Sequence, residues 1–217
     1  MIAPMRGDPA AFVAQLRRWG PDHRRAFPWR ATRDPFRVLV AEVLLQRSRG
    51  RTVAAVHDAL FRRWPDAAAL SRARVASIEA VIRPLGLIRR AATLRAMAAE
   101  VARAGEVPRT RDGLLALPGV GPYAANATLA AAFGRRAPVV DGVTARVYRR
   151  YFGLPGDRPA VGDAALWDLV DRVTPARGAR TWNWAVLDLA AEVCVAGTPR
   201  CDACPLARTC TWAATRR

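Results

Sequence analysis

Residues 117–126 read LPGVGPYAAN, and 20 residues past the second glycine of that stretch Asp141 stands in PVVDGVTARV. Two glycines and a proline ahead of an alanine-rich run describe a tight reversal between two helices. Glycine reaches positive φ without steric cost, so LPGVG turns the chain with its amides exposed. Pro122 then opens a helix whose leading N–H groups have no partner inside the helix. Such amides bind phosphate without a charged side chain and without reading base sequence. An ordinary glycine-capped turn produces the same pattern, so the remainder of the chain has to decide between the two.

Charge weighs on the side of phosphate. The 217 residues carry 35 basic and 18 acidic side chains, a net charge of +17, and every basic residue is arginine because the sequence contains no lysine. A globular surface this basic repels itself and calls for a polyanionic partner, either nucleic acid or an anionic membrane surface. No apolar run approaches the roughly 18 residues of a spanning helix. The opening MIAPMRGDPAAF lacks the basic-then-apolar order of a leader. The expectation is a soluble, cytoplasmic protein.

Turn and cap signals divide the chain into about ten helices without a convincing strand. Asp8-Pro9 and Asp34-Pro35 each place an N-cap before a proline at the first helical position. The second opens PFRVLVAEVLLQR, apolar nearly all round and therefore buried. RTVAAVHDALFRRW, SRARVASIEAVIR, RRAATLRAMAAEVARAG, TRDGLLAL and the alanine helix after Pro122 follow. GVTARVYRRYFG, DAALWDLVDRV and TWNWAVLDLAAEVC complete the set. The fold class is all-α. A second glycine turn, RPLGLIRRA, sets Gly86 among Arg83, Arg89 and Arg90, a further phosphate-binding candidate. His23 and His57 lack a partner pattern and read as surface or packing residues.

All four cysteines lie near the C-terminus, spaced Cys194-x6-Cys201-x2-Cys204-x5-Cys210. A tight cluster in an intracellular chain binds metal more often than it forms disulfides. Four thiolates hold either a structural zinc or a four-iron, four-sulfur cluster, and spacing alone leaves both open. Asp141 has the position of a helix N-cap. Glu42 shares a helix face with Val38, Leu39 and Leu45; a buried glutamate resists ionising and becomes a proton donor.

Taken together, LPGVG, the aspartate 20 residues on and the four-cysteine tail resemble the helix-hairpin-helix DNA glycosylases. That superfamily includes endonuclease III and the adenine and thymine mismatch glycosylases. The resemblance runs from FPWRATRDPF at Phe27 to Cys210. It implies a [4Fe–4S] cluster on Cys194, Cys201, Cys204 and Cys210, and phosphate contacts from Gly119, Val120, Gly121, Gly86, Arg89 and Arg200. It places the intercalating residues at Gln46, Arg47 and Ser48, with Arg47 as the wedge. Asp141 aligns with the essential aspartate, and Glu42, in AEVLLQRSRG, resembles the catalytic glutamate of the mismatch branch.

In endonuclease III a lysine follows the second glycine by two residues, attacks C1′ and cuts the strand. Tyr123 occupies that place here. Arginine is protonated at any working pH and is no nucleophile. A glycosylase built on this chain is therefore monofunctional, with water as the attacking group. Tyr123 instead suits stacking on an extruded base or sugar.

The residue two beyond Asp141 is Val143, where adenine and thymine mismatch enzymes tend to asparagine and endonuclease III to histidine. Only seven residues follow Cys210, too few for the extra domain with which adenine enzymes read 8-oxoguanine. The expected substrate is thymine or uracil opposite guanine in double-stranded DNA, bound by a monomer at the nucleoid. The alternatives are an adenine mismatch glycosylase and a non-catalytic lesion binder. The resemblance also implies a six-helix barrel over residues 28–133. Residues 1–27 and 134–217 would form a second helical domain with the cluster loop at 194–210. A cleft holding Glu42, Tyr123 and Asp141 is expected.

Overall fold

The computed structural model describes residues 7–156 and 159–215. The leader reading of the opening stretch thus rests largely on residues outside that range. Among the described residues there are thirteen α-helices and no strand. They are α1 (Pro9–Trp19), α2 (Pro28–Ala31), α3 (Pro35–Leu45), α4 (Gly50–Arg63), α5 (Ala67–Ser71), α6 (Val75–Ile82), α7 (Arg90–Ala104), α8 (Arg111–Leu115), α9 (Pro122–Ala131), α10 (Gly142–Phe152), α11 (Ala164–Val173), α12 (Ala179–Glu192) and α13 (Thr211–Ala214). The ten helices expected from the sequence are all present. The additional three, α2, α5 and α13, have only four or five residues, too few to show a periodic stripe.

The chain divides into two compact units, residues 26–133 and residues 1–25 with 134–217. The division falls two residues before the expected start at Pro28. Phe27 stacks on Trp29, with centroids 4.7 Å apart, which ties it to the first unit.

In the 26–133 unit, the Asp34 carboxylate accepts from the amides of Phe36 and Arg37 at 2.9 and 3.2 Å and so starts α3. From Phe36 to Leu44 this helix is buried at every position except Arg37. It packs against α4 and α9. The small side chains of α9, buried from Ala124 to Ala131, let the two backbones approach closely. Gly119 has a φ of +77°, and a Cβ there would meet Thr93 Cγ2 of α7 at 2.5 Å. Both conformation and packing therefore require glycine. Gly121 behaves otherwise than expected. It is extended, with φ −98°, and open space surrounds the position of its missing Cβ. Only the first glycine of the pair makes the turn.

In the other unit, Phe12 of α1 sits among Tyr148, Tyr151, Phe152 and Trp182, with ring centroids 4.7–5.7 Å away. Truncating a fully buried ring of this kind costs about 3–5 kcal/mol. That anchor explains why an N-terminal helix belongs with the C-terminal half. Tyr151 Oη donates to the Asp8 carbonyl at 2.9 Å and lies 2.9 Å from Thr209 Oγ1, joining both chain ends to α10. Asp188, 1% exposed, is paired with Arg25 at 2.6 Å. Among the described residues, no helix is long and apolar enough to cross a membrane.

Candidate active site

Asp141 caps α10, and the way it does so leaves it chemically asymmetric. Its Oδ1 accepts from the amides of Val143 and Thr144 at 3.0 and 2.8 Å, and from the Thr144 hydroxyl at 2.9 Å. Thr144 Oγ1 in turn accepts from the Asp141 amide at 2.9 Å, closing a capping box. Among the described residues no bond engages Oδ2. The cap thus uses only one of the two carboxylate oxygens. Thr144 is fully buried and was not singled out from the sequence. The capping-box pattern, Asp followed three residues later by a hydroxyl, is the signal that finds it. Val143 is exposed and brings no polar side chain to the carboxylate.

Glu42 lies on α3 and is 6% exposed, between Ala41 and Val43 of the core. Tyr123 is the second residue of α9, half-buried. Both belong to the 26–133 unit, whereas Asp141, Arg200 and the cysteines belong to the other.

The glycine hairpin and the residues after α3 come together. Gln46 Nε2 donates to the Gly119 carbonyl at 2.9 Å. Arg47 follows with a φ of +57°, the one positive value outside glycine among the described residues. A left-handed arginine is uncommon. Its side chain is exposed. Ser48 closes the turn, its amide donating to the Leu45 carbonyl at 3.0 Å. In the second glycine turn, Gly86 adopts φ +71°, and Arg89 precedes α7 as an exposed residue. The next residue, Arg90, reaches back to the turn after α3. At the start of α9 the N-cap residue Gly121 offers no side chain to cap the helix.

Cys194, Cys201, Cys204 and Cys210 line one small pocket together with Arg150 and Trp212. None forms a disulfide. Arg150 Nη1 lies 3.6 Å from Cys194 Sγ and donates to the Val195 carbonyl at 2.7 Å. Burial pushes the Cys204 thiol up to about 11, and the neighbouring sulfurs add to it. Among the described residues no three His, Cys, Asp or Glu side chains are placed to hold a single metal ion. Arg200 is exposed just before Cys201.

Both histidines are occupied by local contacts. His57 is 2% exposed, its Nε2 lies 3.1 Å from the Arg37 carbonyl, and burial lowers its pKa. His23 stacks on Trp19 at 4.2 Å.

The family model for the HhH-GPD superfamily of base excision DNA repair proteins matches residues 40–172. The chain belongs to that superfamily. A thymine/uracil-DNA glycosylase of Pyrobaculum aerophilum is 38% identical over 204 residues, covering 91% of this chain and 87% of the relative. An adenine DNA glycosylase of Mycolicibacterium smegmatis is 36% identical over 91% of this chain and 68% of its own length. Among solved structures, a thermostable thymine-DNA glycosylase superposes with a TM-score of 0.90 at 32% identity, covering 95% of this chain and 97% of that one.

Proposed function

We propose that this HhH-GPD protein is a monofunctional DNA glycosylase hydrolysing the N-glycosidic bond of thymine or uracil opposite guanine, after that nucleotide leaves the duplex stack. The observation that carries the reading is the divided carboxylate of Asp141, one oxygen fixed by three donors and the other open. Breaking the bond between C1′ and the base nitrogen sends the electron pair to the base and leaves positive charge on the sugar. A carboxylate held rigidly beside that charge stabilises it. Oδ2 of Asp141 takes a proton from the attacking water, whose oxygen adds to C1′. Glu42, buried on α3, supplies a proton to the departing base. Tyr123 stacks on the extruded nucleotide.

Backbone amides of Gly119 and Gly121 bind phosphate, together with the Arg89 and Arg200 side chains; the amides of Val120 and Gly86, expected to join them, are already given to the carbonyls of Leu117 and Arg83 at 3.2 and 3.0 Å and act by shaping their turns. The open space at Gly121 supports this, since the turn itself does not require glycine there. Arg47 enters the duplex where the nucleotide has left, with Gln46 and Ser48 on either side.

Cys194, Cys201, Cys204 and Cys210, which line one pocket, fit a [4Fe–4S] cluster, because the donor set is four soft thiolates. When bound, the cluster cross-links the tail from 194 to 210. The protein acts as a monomer on nucleoid DNA in the cytoplasm.

Labelled duplexes carrying G·T, G·U or A·8-oxoguanine, treated with hot alkali after incubation, test the reading. Cleavage after alkali on G·T and G·U is expected. The likeness to the adenine enzyme favours a second reading, and cleavage confined to A·8-oxoguanine would establish it. Mismatch binding without abasic product in any duplex would identify a lesion binder instead.

A further inference from the structure

Arg90 occupies the first position of α7, where the positive end of the helix disfavours a cation. Its side chain is explained by what it reaches. Nη1 donates to the Leu44 carbonyl at 3.0 Å and lies 3.4 Å from Ser48 Oγ, and Nη2 donates to the Gln46 carbonyl. Two of these acceptors are carbonyls at the end of α3 without helical partners. All three flank Arg47, whose φ of +57° is the lone left-handed value outside glycine among the described residues. From the other side Gln46 is held by the Gly119 carbonyl at 2.9 Å.

We infer that Arg90 is a positioning residue for DNA distortion: its planar fork holds residues 44–48 so that Arg47 stays left-handed and projects from the turn. The inference rests on the wedge reading above and adds the residue that makes the wedge rigid. A tip in a sparsely populated backbone conformation relaxes unless its flanks are over-determined, and an arginine fork provides several donors in fixed geometry. Like charge contributes as well. Arg47 lowers the pKa of Arg90, an effect second to burial, which means the two guanidiniums repel.

A duplex containing a tetrahydrofuran abasic site opposite guanine makes the test independent of the excised base. The readout is the ratio of its affinity to that of an unmodified duplex. Arg90→Gln is expected to lower this preference about tenfold, Arg47→Ala similarly, and the double variant no further than Arg47→Ala alone. Arg90→Lys, with one point charge in place of a fork, should fall between wild type and Arg90→Gln, and circular dichroism establishes that each variant is folded. Should Arg90→Gln not fold, Arg90→Lys carries the same cycle with Arg47→Ala. A normal preference in folded Arg90 variants, or effects that multiply with Arg47→Ala as expected of a mere cap on α3, would overturn the inference. An unchanged preference in Arg47→Ala would remove the wedge reading and the role of Arg90 together.

Discussion

Asp141→Asn is expected to lower the rate of base release by roughly 10³-fold while duplex binding stays intact. The substitution is nearly isosteric, and the geometry says what each atom does. Oδ1 of asparagine still accepts from the amides of Val143 and Thr144 and from the Thr144 hydroxyl, contacts that now measure 2.8–3.0 Å. Asparagine and aspartate cap helices about equally well, so α10 keeps its start. What changes is the second oxygen, which becomes an amide without charge and without basicity. Charge stabilisation and water activation disappear together, whereas phosphate contacts from the hairpin are untouched. Asp141→Ala is a poorer probe, because losing the cap costs about 1 kcal/mol as well. Single-turnover excision after alkali, paired with a gel-shift titration, separates chemistry from binding. Near-normal excision by Asp141→Asn would mean that the catalyst lies elsewhere.

Glu42→Gln should be nearly as damaging to the reaction, on the order of 10²–10⁴-fold, and should leave stability intact. Glu42 is 6% exposed on a helix buried almost throughout. Burying a carboxyl costs desolvation that its amide isostere, similar in volume, does not match. A residue retained only for packing would therefore give a variant as active as the parent. A proton donor gives the opposite pair of results, lost excision with an equal or higher melting temperature. Excision rates and thermal unfolding measured on the same preparation distinguish the two. Glutamine cannot protonate a leaving base, so no change of pH should restore the lost rate.

The fold was legible in the sequence wherever a helix carries its own start signal. Asp8-Pro9, Asp34-Pro35 and Pro122 each mark a first turn, and α1, α3 and α9 begin there. Short helices such as α5 depend on packing against α7, a tertiary fact that no stripe of five residues announces. The glycine pair shows a subtler limit. Sequence treats Gly119 and Gly121 alike, yet one is fixed by φ and by Thr93 while the other has open space around it. At the site, the burial of Glu42 follows from helical spacing, and the cap at Asp141 follows from its place before α10. The divided use of the two Asp141 oxygens, the left-handed Arg47 and the fork of Arg90 do not. Each depends on a local backbone dihedral or on where side-chain atoms end, and Arg90 meets residues more than forty positions away.

The chain's 35 basic residues include no lysine, and that fact reaches directly to the central claim, hydrolysis by water with Asp141 as its carboxylate. An enzyme that attacks C1′ with a side-chain amine passes through a Schiff base, which borohydride reduces to a stable protein–DNA adduct. The decisive measurement is borohydride trapping on whichever labelled mismatch duplex the protein processes, resolved on a denaturing gel beside an untreated and an alkali-treated sample. The account predicts no adduct through a side chain, an intact strand without alkali, and a cut strand after it. A covalent adduct mapped to a side chain, or a strand cut before alkali is added, would contradict it.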